Sequence, residues 1–135
     1  MKKVIIMPLI LAAMAISSVV FAEQLTNWEQ EVYNYSIEKS YANPHKKFND
    51  IYADVAQHYS IPAEQVKQIA GKGEARELSQ KEYEINSEFW TRYADLPKGA
   101  PDSEYKKIYE GLGRKYGMSG LQIYEISSRS SSELY

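Results

Sequence analysis

The chain has 135 residues, 44% hydrophobic and 25% charged, with no cysteine and a formal net charge of −2. Without a thiol it holds no disulfide scaffold, thiolate metal site or thiol enzyme. Mixed charges and ordinary apolar content exclude a disordered polyelectrolyte, bulk charge argues against a basic nucleic-acid binder, and the length fits one small domain.

Residues 1–22 read as a cleaved signal peptide. Lys2 and Lys3 form the positive start, an uncharged run follows to Val20, and Val20-Phe21-Ala22 sets small residues at a peptidase site. The apolar run is 17 residues long, short of the ~20 that span a bilayer. No basic stop-transfer cluster follows it, so no stable membrane anchor is expected after cleavage. A bacterial periplasmic or secreted location is the expectation. Two of the 16 basic residues and none of the 18 acidic ones lie in this segment, so the remainder carries 14 basic against 18 acidic residues, a net −4.

The remainder reads as two copies of one unit. An offset of 57 aligns residues 43–70 with 100–127 without a gap and gives six identities: Pro44/Pro101, Ile51/Ile108, Tyr52/Tyr109, Tyr59/Tyr116, Gln65/Gln122 and Ile69/Ile126. Chance supplies about two, from average residue frequencies. Upstream, an offset of 52 sets Tyr33, Asn34, Ile37, Tyr41 and Ala42 against Ile85, Asn86, Phe89, Tyr93 and Ala94. Capping boxes of the S/T-x-x-E form, Thr26…Glu29 and Ser79…Glu82, open both copies. The expected fold is all-α: a tandem duplication of a three-helix unit forming one compact helical domain, with no strand pattern. Repeat 1 covers residues 23–73, a linker 74–78, repeat 2 79–127, and a flexible serine-rich tail 128–135.

In chain order, the first helix of each copy is predicted over 27–42 and 80–94. The second is predicted over 44–59 and 102–116, with Asn43-Pro44 as N-cap and first residue. Its apolar positions Phe48, Ile51, Tyr52, Val55 and Tyr59 recur at Tyr105, Ile108, Tyr109, Leu112 and Tyr116 on one helical stripe. The third is predicted over 62–70 and 120–127, with Gly71-Lys72-Gly73 ending the first copy.

Between the second and third helices, Ala56, Ser60, Ile61 and Val66 recur as Gly113, Gly117, Met118 and Ile123. A small residue, a turn residue and two aliphatics in this order resemble a helix-turn-helix corner. The resemblance implies close helix crossing, and DNA recognition by the third helix. That helix offers Ala63, Glu64, Gln65 and Lys67 in one copy and Gly120, Leu121, Gln122 and Tyr124 in the other, with Lys67 the single cation. Poor phosphate clamping, the acidic chain and the leader exclude nucleic acid as the expected partner.

Catalytic and cofactor chemistry is thinly represented. Asp54 and His58 stand four residues apart and form a weak candidate metal pair, better read as a surface ion pair. No metal or cofactor is expected. The carboxylate groups Asp50/Asp54, Glu74/Glu77 and Glu82/Glu84/Glu88 lie in solvated-looking stretches, and no nucleophile elbow or phosphate loop is present.

Twelve tyrosines against three phenylalanines supply the amphipathic core and boundary residues of a domain short of aliphatics. One stripe stands apart. Trp28, Val32 and Tyr35 share a face, and at the offset of 52 their counterparts Gln80, Glu84 and Ser87 are polar. They are the candidate partner-binding residues, either between the copies or toward another protein. The expected function is a small exported binding protein without catalytic activity, such as an inhibitor, immunity-type protein or adaptor. The alternatives are an exported carboxylate- or metal-dependent enzyme and, after it, a DNA binder.

Overall fold

The structure, a computed structural model, describes residues 24–131, with side chains to residue 129. The leader predicted at 1–22 and the last residues of the predicted tail, 132–135, lie outside the described residues. Among the described residues the chain is all-helical, without strands: α1 (Asn27–Ala42), α2 (Phe48–Tyr59), α3 (Ala63–Glu74), α4 (Gln80–Ala94), α5 (Asp102–Tyr116) and α6 (Gly120–Ser131). No helix among them is long and apolar enough to cross a membrane.

Both capping boxes form. The Glu29 N–H donates to Thr26 Oγ1 at 3.1 Å while the Thr26 N–H donates to Glu29 Oε1 at 3.0 Å. Ser79 and Glu82 repeat the exchange at 3.1 and 2.9 Å. Orphan amide groups at each helix start are thereby satisfied, which places the first residues of α1 and α4 where the sequence predicts them.

Three boundaries differ from expectation. First, α2 begins at Phe48, not at residue 44. Asn43 serves as the C-cap of α1 instead: its N–H donates to Ser40 O at 3.2 Å and its side chain donates to Lys39 O at 2.8 Å. A residue occupied in ending one helix is not available to start the next, so 43–47 forms a turn. Second, α3 runs through Gly71 and Gly73 to Glu74. Gly73 permits close packing, not termination: a Cβ there would lie 2.2 Å from a Tyr33 ring carbon. Third, α6 continues past Ser127 to Ser131. Arg129, 6% exposed, holds that last turn with ion pairs to Glu82 at 2.5 Å and Glu125 at 2.9 Å.

The first three helices pack on one another, and so do the last three. Each trio has its own core. Val32, Tyr33, Ile37, Ile51, Val55, Val66 and Ile69 fill the first; Ile85, Phe89, Ile108, Leu112, Ile123 and Ile126 fill the second. Each fully buried aliphatic contributes about 1.5–3 kcal/mol. The trios meet through α6, which packs on α1 and α3 as well as on α4 and α5. Its Leu121 and Tyr124 lie against the first core. Beside them Glu125 accepts from the Tyr33 hydroxyl at 2.6 Å and from Arg76 at 3.1 Å.

The corners between α2 and α3 and between α5 and α6 share one geometry. Ser60 and Gly117 adopt the left-handed conformation, with φ of 55° and 70°. The Ile61 N–H donates to Ala56 O at 3.0 Å and the Met118 N–H to Gly113 O at 2.8 Å, the long-range bond of a Schellman motif. The second corner is the tighter, because a Cβ on Gly113 would approach the Met118 carbonyl oxygen to 2.5 Å. Gly113→Ala is expected to cost about 1–3 kcal/mol in urea unfolding, although the matching position 56 is already alanine.

Candidate functional site

The short α2 leaves space beside the turn at 43–47. Ser40 and Tyr41 at the end of α1 face Tyr105, Lys106 and Tyr109 of α5 across a cleft of about 460 Å³. Ligand pockets run about 300–1,000 Å³. Tyr93 from the end of α4 and Tyr124 from α6 complete its aromatic wall. Tyr41, Tyr109 and Tyr124 form a mutual triangle, with ring centroids 5.3–5.6 Å apart. Phe89 stacks behind Tyr109 at 5.1 Å, and Tyr93 meets Tyr105 at 5.5 Å. Such contacts order the rings before anything binds.

The rim is basic although the chain is acidic. Lys46, Lys47 and Lys106 line the cleft, and Lys106 Nζ stands 6.0 Å from the centre of the Tyr41 ring. Lys46 is paired with Asp54. Lys47 and Lys106 have no carboxylate within ion-pair distance among the described residues. At the mouth His45 Nε2 lies 2.6 Å from Asp102, linking the 43–47 turn to α5. Burial raises the phenols of Tyr41, Tyr109 and Tyr124 above the ordinary tyrosine range; nearby charges and phenols add to it, while Ser127 at Tyr109 and Ser40 and Ser128 at Tyr124 oppose it. Their hydroxyls therefore stay protonated at neutral pH and can donate as well as accept.

Of the stripe expected at Trp28, Val32 and Tyr35, the structure buries one residue completely. Val32 is fully buried in the first core. At the offset of 52 it stands opposite the polar Glu84. The capping boxes relate α1 to α4 by an offset of 53, and in that register Val32 stands opposite Ile85, also fully buried. Tyr35 then answers to Glu88, and both serve the end of the following helix. Tyr35 stacks on His58 at 4.3 Å and meets Tyr59 edge-on. Glu88 accepts from Lys115 and Tyr116, each at 2.8 Å.

Trp28 remains 41% exposed, its ring edge-on to Tyr59 with centroids 6.4 Å apart. Trp28→Ala is expected to lower stability by about 1 kcal/mol, the scale of one aromatic pair, read from the urea midpoint at unchanged slope.

The candidate metal pair is otherwise engaged. Asp54 accepts from Lys46, and His58 lies against the Tyr35 ring. Among the described residues no group of three or more histidine, aspartate or glutamate side chains is arranged to hold a metal ion. Of the carboxylates considered for acid–base chemistry, Glu88 is held below its ordinary range by Lys115 and Tyr116. Burial pushes Glu82 up, but the Ser79 amide and Arg129 outweigh it and hold the carboxyl low.

The tyrosine cleft was read in the sequence as core and boundary. One signal pointed to it. Tyr41 and Tyr93 end first helices while Phe48 and Tyr105 lie near the starts of second helices, and consecutive antiparallel helices bring such positions to one end. No family model, curated protein sequence or solved structure matches the chain.

Proposed function

We propose that the chain is a small exported binding protein without catalytic activity, and that it takes a partner in the tyrosine cleft between two copies of a duplicated three-helix unit. The observation that carries this reading is the cleft itself. Ordered tyrosines and two lysines without carboxylate partners face solvent in one place, and interface centres favour such amphipathic rings. The partner is a protein segment carrying an acidic side chain next to an apolar one. The acid meets Lys47 and Lys106, and the apolar group lies on Tyr41 and Tyr105.

Duplication is supported by paired details beyond the aligned columns. In each half the capping-box glutamate takes an ion pair from the third helix: Lys72 to Glu29 at 2.8 Å, and Arg129 to Glu82 at 2.5 Å. The left-handed corner residues Ser60 and Gly117 correspond at the same offset as these cations. The corner resembling a helix-turn-helix serves packing in this reading, since Leu121 and Tyr124 of the would-be recognition helix lie against the first core. Export rests on the leader, and N-terminal sequencing of the protein from bacterial envelope fractions should find Glu23 first.

The binding test is a pull-down from envelope extract with three baits: wild type, Tyr93→Ala/Lys106→Glu, and Trp28→Ala/Tyr35→Ala. A partner retained by the wild type and the third bait, but lost by the second, is the expected result. Loss with Trp28→Ala/Tyr35→Ala alone would move the surface to the far end of α1 and sink the cleft.

A further inference from the structure

A second, smaller recess of about 250 Å³ adjoins the cleft, sharing Ser40, Phe48 and Tyr124 with it. Four helices build it. Tyr33 of α1 forms its floor, Phe48 and Tyr52 of α2 one wall, Tyr124 of α6 another, and Glu74 ends α3 beside them. Phe48 and Tyr52 stack with centroids 6.4 Å apart, and Phe48 is 62% exposed, so the recess is open along that wall. Its volume suits one alkyl chain with a head group, not a whole folded partner.

Glu74 is the feature that calls for a ligand. The other half-buried carboxylates nearby are all paired: Glu29 with Lys72, Glu82 with Arg129, and Glu125 with Arg76 and Arg129. Glu74 has no cation within ion-pair distance among the described residues, and its neighbours Lys72 and Arg76 are committed elsewhere. Its placement is unfavourable three times over. It is partly desolvated, it feels the charge of Glu125, and it sits at the C-terminal end of α3, where the helix dipole is negative. The first two push its carboxyl above the ordinary glutamate range. Among the described residues no cation within ion-pair distance offsets this.

We infer that this recess binds an organic ammonium group, with Glu74 as counter-ion and Phe48, Tyr52 and Tyr124 as its aromatic walls. Aromatic faces attract alkylammonium ions through the ring quadrupole, and a carboxylate adds a charge-assisted hydrogen bond. The inference does not rest on the tyrosine cleft as a partner site, and a different residue and a different charge test it. The ammonium can come from a free diamine or from a lysine side chain, which present the same head group.

The test is titration of the full chain with cadaverine and with Nα-acetyl-lysine N-methylamide, whose ε-ammonium is free, followed by NMR of the Tyr52 and Glu74 signals. 1,5-Pentanediol is the uncharged control and potassium chloride the ionic one. Saturable shifts with at least one amine and neither control are expected, and the tighter of the two amines identifies the source. Glu74→Gln should weaken binding by about tenfold or more, while Phe48→Ala, at an exposed position, weakens it several-fold without loss of fold. Glu74→Gln removes an unpaired charge, so its melting temperature should be no lower than that of the wild type. No saturation by about 10 mM, where affinity is negligible, would overturn the inference. So would equal shifts by the diol, or unchanged affinity in folded Glu74→Gln.

Discussion

Gly73→Ala should destabilise the protein by about 3 kcal/mol, although glycine to alanine inside a helix ordinarily stabilises it by about 0.5–1 kcal/mol. The sign reverses because of Tyr33. An added methyl would lie 2.2, 2.3 and 2.6 Å from three carbons of that ring. The ring has nowhere to go. It is 1% exposed, its hydroxyl is tied to Glu125 at 2.6 Å, and the Arg76 guanidinium covers its face at 5.1 Å. Moving it would pull on α1, α3 and α6 together. Gly71→Ala is the internal control, since nothing lies within 4 Å of a Cβ there. Urea unfolding of the two variants should shift the midpoint in opposite directions. A stabilising Gly73→Ala would mean that α3 does not approach Tyr33 as described.

Arg129→Ala should cost about 3 kcal/mol, the low end for a broken buried ion pair because its acidic partners keep some water contact. Arg129 is 6% exposed and reaches Glu82 at 2.5 Å, Glu125 at 2.9 Å and the Glu77 carbonyl at 3.3 Å. Lysine should not rescue it, since one ammonium cannot serve targets that the planar guanidinium meets along different N–H directions. The loss should depend on pH with a defined sign. Glu82 is held below its ordinary value of 4.5, partly by Arg129. A carboxyl lowered in the folded state stabilises above its unfolded pKa, and that contribution disappears as pH falls through the folded value. The gap between wild type and variant should therefore be full at pH 7 and narrow on acidification below about 4.5, as read by thermal melting across pH. A pH-independent gap would assign the loss to packing of the side-chain stem.

Much of the helical layout was legible because its signals are local. A capping box needs four consecutive residues, so α1 and α4 start where Thr26 and Ser79 predict. The aligned columns Ile51/Ile108, Val55/Leu112 and Val66/Ile123 are buried in their respective cores. What escaped depends on partners distant in sequence. Gly73 looks like a stop signal until Tyr33 is seen against it. Arg129 looks like part of a fraying serine tail until Glu82, 47 residues away, is brought beside it. In the Trp28–Val32–Tyr35 stripe, the place of Val32 in the first core escaped for a narrower reason. α1 has 16 residues and α4 has 15, so matching their ends yields an offset of 52 and matching their caps yields 53. One residue is 100° of helix, enough to set a core valine against a surface glutamate.

The place of α6 in the chain bears on the order in which burial can be completed. Tyr33 and Glu125 are 92 residues apart. A chain growing from its N-terminus has α1, α2 and α3 in full while Glu125 is still to come. Until then the Tyr33 hydroxyl and Arg76 lack their shared carboxylate, and the first core lacks the cover of Leu121 and Tyr124. A premature stop before Gly120 would thus remove one helix of the second core and, with it, a wall of the first. Lesions that remove α6 should be as damaging as lesions in α3, because α6 packs against both trios.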